Sequence, residues 1–235
     1  GLDLDFGAMP KWMRDSHFYN LDHEWETFVN YLKSPCTVPK VPFMAPDLPE
    51  HFVPRPEKFD PLKAQLLDAD FDNPVAITTA LKGAGGFGKT TLAIALCHDE
   101  DVQTAFDEGV LWVTLGENPN ILNKLTVLYR ALTDENPGFI EIEEGANKLA
   151  EKLVDADVLL VIDDVWDPAH LRPFLRGGER TARLVTTRFA NIAVDAKAEL
   201  LEVDEMTGDE SVAMLLAGID PPDDVTPFEA LAARL

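Results

Sequence analysis

Short apolar runs alternate along this chain with longer segments in which apolar residues recur at helical spacing. The apolar or β-branched runs predict five strands, at residues 75–79, 110–115, 158–162, 184–187 and 200–203. The helical spacing predicts helices at residues 61–68, 90–97, 121–132 and 141–154. Because strands that alternate with helices pair in parallel, the sequence predicts an α/β fold with a doubly wound, mainly parallel, five-stranded sheet flanked by helices.

The N-terminal part of the chain follows a different pattern. Apolar residues at helical spacing predict an amphipathic helix over residues 22–33. We interpret residues 1–34 as the tail of an upstream domain. Residues 35–61, called the strap below, are so rich in proline that neither a helix nor a central strand is expected to persist there.

The C-terminal part predicts helices without strands between them. Thr207 and Thr226 each lie three residues before a glutamate, which is the pattern of a capping box at a helix start. Pro227 follows Thr226, and proline is favourable at the first helical position. Residues 207–235 are therefore expected to begin a helical subdomain that is truncated at the end of the sequence.

The composition restricts the partners and the compartment. The chain has 42 acidic and 20 basic residues, a net charge of -22, so we predict that it does not bind nucleic acid. Cys36, Cys97 and the five histidines lack metal-ligand spacing, and Cys97 is expected to be a buried thiol. No apolar run reaches the about 18 residues of a membrane span. We expect a cytoplasmic protein in a reducing compartment, without membrane contact.

The glycine-rich stretch GAGGFGKTT, residues 83–91, fits two nucleotide-binding patterns. Gly83, Gly85 and Gly88 match G-x-G-x-x-G, the dinucleotide fingerprint. Gly83, Gly88, Lys89 and Thr90 match G-x-x-x-x-G-K-[ST], the phosphate loop of nucleoside triphosphatases. The two patterns imply different ligands and different chemistry.

The dinucleotide interpretation requires an acidic residue at the end of the second strand, about 20 residues past the glycines. Asp107 and Glu108 have about that spacing, but they precede the strand predicted at residues 110–115. Glu117 follows the strand but lies too far along the chain. The dinucleotide interpretation therefore fails on the placement of the acid.

The phosphate-loop interpretation meets its structural requirements. A predicted strand precedes the loop and a predicted helix starts within it, so backbone N–H groups converge on phosphate at the positive end of the helix. Lys89 is the expected contact of the β and γ phosphates, and the Thr90 hydroxyl is an expected ligand of Mg²⁺. The residues predicted to bind the phosphates are Gly83, Gly85, Gly86, Phe87, Gly88, Lys89, Thr90 and Thr91.

The second chemical element is the apolar strand VLLVIDDVW, residues 158–166, with its paired acids. Asp163 is predicted to hold Mg²⁺, and Asp164 is the candidate that polarises the attacking water. Arg188 closes the strand LVTT at the edge where ligands bind, where it is placed to sense the γ phosphate. Arg183 opens the same strand and is expected to be a surface charge at the opposite edge, and Trp166 is expected to serve packing.

These blocks, in their order, resemble a known family. VPRPEKF, GAGGFGKTT, GVLWVTLGENPNILNKL, VLLVIDDVW and ARLVTTR, followed by LEVDEMTGDESVAMLL, resemble the nucleotide-binding domain of STAND-class ATPases. The type is the NB-ARC domain shared by plant disease-resistance proteins and apoptotic protease-activating factor, and the resemblance covers residues 52–235. Residues 9–33 also resemble the last turn and helix of TIR domains found upstream of such ATPases.

The resemblance implies an adenine nucleotide, ATP or ADP, bound by residues 62–206 together with the strap. Val53 and Arg55 match the family positions that contact the adenine, Arg188 matches the sensor arginine, and Asp163 and Asp164 match the paired acids. Family members hold ADP in a closed form, exchange it for ATP to oligomerise, and hydrolyse ATP slowly. The family's glycine-leucine-proline motif and winged-helix histidine do not occur in this sequence.

Three functions remain open from the sequence. The leading hypothesis is an ATP/ADP switch module with weak Mg²⁺-dependent ATPase activity, belonging to a signalling protein that self-associates. A P-loop kinase acting on a small molecule also fits the glycine loop, although no arginine cluster of a lid is evident. A binding scaffold that is stabilised by a nucleotide without turning it over is the third.

Overall fold

The structure is a computed structural model that describes residues 23–27, 29, 41–67, 78–82, 88–178, 180–203, 205–220, 222 and 224–233. The chain forms two compact units, residues 1–40 and 41–235. In the first unit, residues 25–27 and 29 are helical, in agreement with the helix predicted there. The remainder of that helix and most of the TIR-like segment lie outside the described residues.

The second unit is built on a five-stranded sheet. The strands pair in parallel in the order β2-β3-β4-β1-β5. The strands are β1 Thr78–Lys82, β2 Gly109–Gly116, β3 Val158–Val165, β4 Ala182–Thr187 and β5 Glu199–Glu202. β2 to β5 lie where the apolar runs predict them. β1 overlaps its prediction only at Thr78 and Thr79 and continues to Lys82, and residues 75–77 lie outside the described residues.

Helices connect and follow the strands. Those before and between the first strands are α1 Pro56–Leu67, α2 Lys89–Cys97, α3 Glu100–Ala105, α4 Ile121–Thr133 and α5 Ile142–Leu153. Those further along are α6 Pro168–Leu171, a 3₁₀ turn Arg172–Leu175, α7 Ala190–Asp195, α8 Gly208–Leu216 and α9 Thr226–Ala232. Helix α2 begins next to the glycine loop, as the phosphate-loop interpretation requires.

The sheet is covered on both faces, as a doubly wound sheet requires. Successive side chains of a strand point to opposite faces, so β2, β3 and β4 each contribute to two apolar clusters. One cluster contains residues of helices α4, α5, α6 and α7, which pack against Leu111, Val113, Leu160, Ile162 and Val185 of the strands. The other contains residues of helices α1, α2 and α3, which pack against Val110, Trp112, Leu159, Val161 and Leu184 of the strands. The two clusters fix the carboxyl ends of the strands in position.

Helix α1 begins at Pro56, inside the strap and before the predicted start at residue 61, so the expectation that proline excludes a helix there is wrong. Pro56 occupies a first-turn position, where no backbone N–H has to be donated. Pro61 lies inside the helix and removes one hydrogen bond, which costs about 3 kcal/mol. Leu62 and Leu66 are fully buried, and burial of each contributes about 2 kcal/mol.

The strap covers the free edge of β2. Phe43 forms a parallel bridge with Val110. The N–H of Met44 donates to the Val110 carbonyl at 2.9 Å, and the N–H of Val110 donates to the Pro42 carbonyl at 2.8 Å. Gly109 permits this close approach, because a Cβ at that position would lie 2.6 Å from the Pro42 carbonyl oxygen. The edge of the sheet is thus paired rather than open.

Arg183 corrects a second prediction. It lies at the start of β4, at the predicted edge of the sheet, but it is fully buried rather than a surface charge. Its guanidinium donates to the carbonyls of Phe174 at 2.9 Å, Arg176 at 3.0 Å and Gly177. Burial lowers the pKa of Arg183 to about 10. The side chain therefore ties the loop before β4 to the strand, a role that sequence position alone does not reveal.

The two predicted capping boxes have different outcomes. At α8, Thr207 Oγ1 accepts from the N–H of Glu210 at 3.2 Å, and Glu210 Oε2 accepts from the N–H of Thr207 at 2.9 Å, which confirms the first. At α9, Thr226 is already helical and Asp224 accepts from its N–H at 2.9 Å, so the second is wrong. Both helices exist, and their membership of a larger helical subdomain stays a prediction.

Two smaller predictions concern Cys97 and the membrane. Cys97 is fully buried in α2, as expected, and burial raises the pKa of its thiol to about 12. In the part of the chain that the structure describes, no helix is both long enough and apolar enough to cross a bilayer.

Candidate functional site

The predicted polar residues meet at the carboxyl edge of the sheet, where parallel α/β sheets bind ligands. Lys89, Thr90, Asp164 and Arg188 line an open pocket of about 230 Å³, called the polar pocket below, whereas Asp163 is not one of its lining residues. Its lining residues are Gly88, Lys89, Thr90, Thr91, Asp164, Thr186, Thr187 and Arg188. Gly83, Gly85, Gly86 and Phe87, which the sequence also predicts at this site, lie outside the described residues.

The N-terminus of α2 faces the polar pocket. Gly88 precedes the helix with a φ of 79°, a left-handed conformation that glycine adopts without strain. Lys89, Thr90 and Thr91 form the first turn, in which backbone N–H groups have no partner within the helix. N–H groups that make no bond within the helix and the positive end of the helix dipole together favour an anion at this position.

Lys89 adds positive charge to the same place. The side chain is buried, and burial is the main cause that lowers its pKa, followed by the positive charge of Arg188. The carboxylates of Asp164 and Asp163 act in the opposite direction. Two cations held together in a partly desolvated pocket are stabilised by a bound anion.

Asp163 is fixed by the hydroxyl groups of three threonines. Its Oδ1 accepts from Thr90 Oγ1 at 2.7 Å and from Thr186 Oγ1 at 2.6 Å. Its Oδ2 accepts from Thr114 Oγ1 at 3.2 Å, and Thr114 in turn accepts from Trp112 Nε1 at 3.1 Å. The carboxylate is therefore held as a hydrogen-bond acceptor, and the Thr90 oxygen keeps lone pairs for a further ligand.

Asp164 lies in a bulge of β3. The pairing of β3 with β4 shifts between Ile162 and Val165, and Asp164 has a φ of 52°. Aspartate is one of the few residues that adopt this left-handed conformation readily. Thr186 Oγ1 accepts from the Asp164 N–H at 2.8 Å and so stabilises the bulge. A regular strand would turn consecutive acids to opposite faces, whereas the bulge re-aims Asp164 towards the polar pocket.

The residues present fit Mg²⁺ as it is bound with phosphate. Thr90 and Asp163 supply hard oxygen ligands, and Mg²⁺ is usually held by one or two carboxylates together with phosphate and water. Among the residues that the structure describes, no group of three His, Cys, Asp or Glu side chains forms a metal site on its own. The arrangement therefore suits a metal that arrives with a nucleotide rather than a metal in an all-protein cage.

Arg188, which lines the polar pocket, contacts the ring of Trp166. Its guanidinium lies 5.2 Å from the centre of the Trp166 ring, which is a cation–π contact, and its Nε lies 3.9 Å from Asp164 Oδ1. Phe189 also contacts the indole in an edge-to-face arrangement, with ring centres 5.7 Å apart. Trp166 thus packs as expected and also supports Arg188, which the sequence analysis missed.

A second, mostly apolar pocket of about 380 Å³ adjoins the polar one, and Gly88 and Thr91 line both. This apolar pocket is within the size range of ligand sites, about 300–1,000 Å³. The predicted residues Val53 and Arg55 line it, together with residues that the sequence did not single out, namely Phe52, Leu92, Met206 and Met214. The methionines come from the segment after β5, and no local motif marks them.

Arg55 has partners that the sequence did not predict. It is 5% exposed, and its Nε donates to Glu210 Oε2 at 3.1 Å. Its Nη2 donates to the Glu205 carbonyl at 3.1 Å. Arg55 lines the apolar pocket while its guanidinium links the strap to the start of α8.

The acid required by a dinucleotide site is at the wrong edge of the sheet. Glu108 Oε2 accepts from the N–H of Asp157 at 2.8 Å, beside the amino end of β3. The polar pocket lies at the carboxyl ends of the strands. The structure therefore agrees with the rejection of the dinucleotide interpretation.

Comparison with protein families and known sequences gives clear similarities. The family model of the NB-ARC domain matches residues 56–219. The regulatory protein AfsR of Streptomyces coelicolor is 35% identical over 145 residues, which are 60% of this chain and 14% of AfsR. A probable disease resistance protein of Arabidopsis thaliana is 31% identical over 176 residues, 72% of this chain and 20% of that protein. The chain spans only a small part of the length of these relatives.

Two solved structures share the fold at low sequence identity. The ORC of Drosophila bound to DNA has a TM-score of 0.57 and 13% identity, over 80% of this chain and 52% of that chain. The ORC1 protein of Aeropyrum pernix in complex with DNA has a TM-score of 0.57 and 18% identity, over 80% and 56%. At these identities the likeness shows an ORC-like P-loop fold alone. The family match begins at residue 56 and lends no support to the TIR resemblance upstream.

Proposed function

The chain belongs to the NB-ARC family, and on this premise we propose that it is an ATP/ADP-binding switch module with slow Mg²⁺-dependent ATP hydrolysis. The observation that carries the proposal is the pair of adjoining pockets. One contains Lys89, Arg188 and the start of α2, the other is apolar, and Gly88 and Thr91 line both. A charged end next to an apolar end matches a nucleotide, with phosphates in the polar pocket and the base in the apolar pocket.

The residues have separate tasks in binding. The amides at the start of α2 and the Lys89 ammonium bind the β and γ phosphates. The adenine packs against Val53 and Met214 in the apolar pocket. Thr90 and Asp163 hold Mg²⁺, which when bound neutralises phosphate charge. The same contacts serve ADP and ATP, apart from those made to the γ phosphate.

Hydrolysis requires a group that orients water near the γ phosphate. Asp164 lines the polar pocket, and the bulge of β3 aims it there. We propose that Asp164 accepts a proton from the attacking water and that Arg188 contacts the γ phosphate. Arg188 Nε lies 3.9 Å from Asp164 Oδ1, so both groups can act at the same phosphate.

The relatives suggest a setting for the switch. AfsR is described as a regulatory protein and the Arabidopsis relative as a probable disease resistance protein. We propose that this chain is the nucleotide-controlled module of a longer signalling protein, in which exchange of ADP for ATP controls self-association. In this proposal α8 and α9 are the start of the helical subdomain that follows the sheet.

Binding is tested by calorimetric titration of ADP and ATP into the wild-type chain and into Lys89→Met. The variant removes the ammonium from the polar pocket, so we expect the affinity for both nucleotides to fall about a hundredfold. Lys148→Met removes the same charge from an exposed ion pair on α5 and serves as the matched control. Equal affinities of wild type and Lys89→Met would contradict the proposal.

Turnover is tested separately by phosphate release from ATP in the presence of Mg²⁺. Asp164→Asn keeps the shape of the side chain, and asparagine also adopts a positive φ readily, but the amide cannot accept the proton. We expect phosphate release to fall about a hundredfold while ADP affinity stays within twofold of wild type. A wild-type chain that binds ATP and releases no phosphate would favour the scaffold without turnover instead.

A further inference from the structure

We propose that Glu210 is a positioning residue of the nucleotide site, which acts by holding Arg55 and thereby fixes the strap against α8 around the base. The inference rests on the proposed function and concerns the base end of the site alone. Glu210 itself does not line the apolar pocket, whereas Arg55 does. The two residues are separated by 155 positions along the chain.

The contacts of Glu210 make it a junction between two segments. Its Oε2 accepts from Arg55 Nε at 3.1 Å and from the N–H of Thr207 at 2.9 Å. The side chains of Arg55 and Glu210 are 6% and 16% exposed, so the ion pair is shielded from solvent. Loss of the Glu210 charge removes an ionic partner from a buried guanidinium, which is unfavourable even though Arg55 Nη2 keeps its contact with the Glu205 carbonyl.

The apolar pocket has walls from both of the segments that this ion pair joins. Phe52 and Val53 of the strap form one wall. Met206, at the entry to α8, and Met214, on α8 itself, contribute to the other. Met214 follows Glu210 by one helical turn and so lies on the same face of α8. The ion pair therefore sets the separation of the two walls.

The strap is also linked to β5 and to the segment after it, where Arg55 Nη2 donates to the Glu205 carbonyl at 3.1 Å. Lys58, at the start of α1, donates to the Glu202 carbonyl at 3.3 Å, but this contact is exposed. Exposed contacts of this kind contribute little to stability, whereas the shielded Arg55–Glu210 pair has few competing solvent partners. Loss of the ion pair is thus expected to loosen the base end and to leave the phosphate end at α2 in place.

The test compares ligands that fill different parts of the site. Calorimetry measures the binding of ADP, ATP and inorganic tripolyphosphate to the wild type and to Glu210→Gln, with Mg²⁺ present. Gln keeps an oxygen for the Thr207 N–H and removes the charge that holds Arg55. ADP and ATP affinities are expected to fall together by roughly tenfold, and tripolyphosphate affinity is expected to change by less than twofold.

The matched control is Asp209→Asn, which removes an acidic charge from the same first turn of α8 without touching the ion pair. Its ADP affinity is expected to equal that of wild type. The inference is overturned if Glu210→Gln leaves ADP affinity unchanged. It is also overturned if the variant loses affinity for tripolyphosphate together with affinity for ADP. Either result leaves the proposed function standing. A wild-type chain that binds no adenine nucleotide overturns both.

A double variant shows whether Glu210 acts through Arg55. Arg55→Met keeps an unbranched stem and removes the guanidinium, and Arg55→Met with Glu210→Gln contains no buried charge without a partner. If Glu210 acts only by holding Arg55, the double variant binds ADP within twofold of Arg55→Met alone. This comparison remains informative even if Glu210→Gln alone does not fold. A further tenfold loss in the double variant overturns the inference.

Discussion

At the scale of single residues, the site depends on hydroxyl groups that orient an acid. Thr90, Thr114 and Thr186 all donate to the Asp163 carboxylate. Thr90 and Thr186 also line the polar pocket, and Thr90 alone of the three belongs to the first turn of α2, where the phosphates are proposed to bind. One hydroxyl can donate its proton to Asp163 and offer its lone pairs to Mg²⁺. The proposed metal site therefore depends on the hydroxyl group and not on the shape of the side chain.

This dependence predicts different effects for two substitutions of Thr90. Thr90→Val preserves the shape of the side chain and removes the hydroxyl. The factor by which Mg²⁺ raises ATP affinity is therefore expected to be about tenfold smaller in this variant than in wild type. Thr90→Ser retains the hydroxyl and is expected to retain the effect of Mg²⁺. The measurement is ATP affinity with Mg²⁺ and with a chelator. An undiminished Mg²⁺ effect in Thr90→Val would contradict this assignment.

Some of these residues could be predicted from the sequence and others could not. Lys89, Thr90 and the two acids follow from motifs with fixed local spacing, and the structure brings Lys89, Thr90 and Asp164 to one pocket. Glu210 could not be predicted as a partner of Arg55, because the ion pair joins positions that only the tertiary fold brings together. Spacing rules describe neighbours within an element and contain no information about such pairs.

At the scale of elements, the apolar runs predict the strands well. A run of buried residues is needed on both faces of a parallel strand, so strands such as β3 are visible as continuous apolar sequence. The bulge in β3 could not be predicted, because it arises from the pairing with β4 and from the hydroxyl of Thr186. Arg183 was misjudged for a similar reason, since its acceptors are backbone carbonyls of a neighbouring loop.

The pairing of the strap with β2 leads to a prediction about Gly109. Gly109 has a φ of 133°, and a Cβ there would lie 2.6 Å from the Pro42 carbonyl oxygen. Gly109→Ala is therefore expected to lower the free energy of unfolding by about 2 kcal/mol, through backbone strain and displacement of the strap. Chemical denaturation measures the change.

Gly208→Ala is the matched control for Gly109→Ala. A Cβ at Gly208 would meet nothing within 4 Å, and the residue begins α8. Its free energy of unfolding is expected to be unchanged or slightly raised, because alanine favours the helix. Equal stabilities of the two variants would show that the strap does not press against Gly109.

At the scale of the whole molecule, the polar pocket contrasts with the charge of the chain. The net charge is -22, yet Lys89, Arg188 and the start of α2 come together in one pocket beside Asp164. Binding of an anion is therefore a local property of the carboxyl edge of the sheet. The order of the motifs predicted the family that the comparison identifies over residues 56–219. The upstream segment offered only a short resemblance, which nothing yet supports.

The central claim is that one adenine nucleotide spans both pockets, and a crystal structure of the chain with ADP and Mg²⁺ tests it most directly. We predict the diphosphate at the start of α2 beside Lys89, and the adenine in the apolar pocket between Val53 and Met214. Continuous density across Gly88 and Thr91 would support the account. A nucleotide bound elsewhere, or a base that projects away from the apolar pocket, would contradict it.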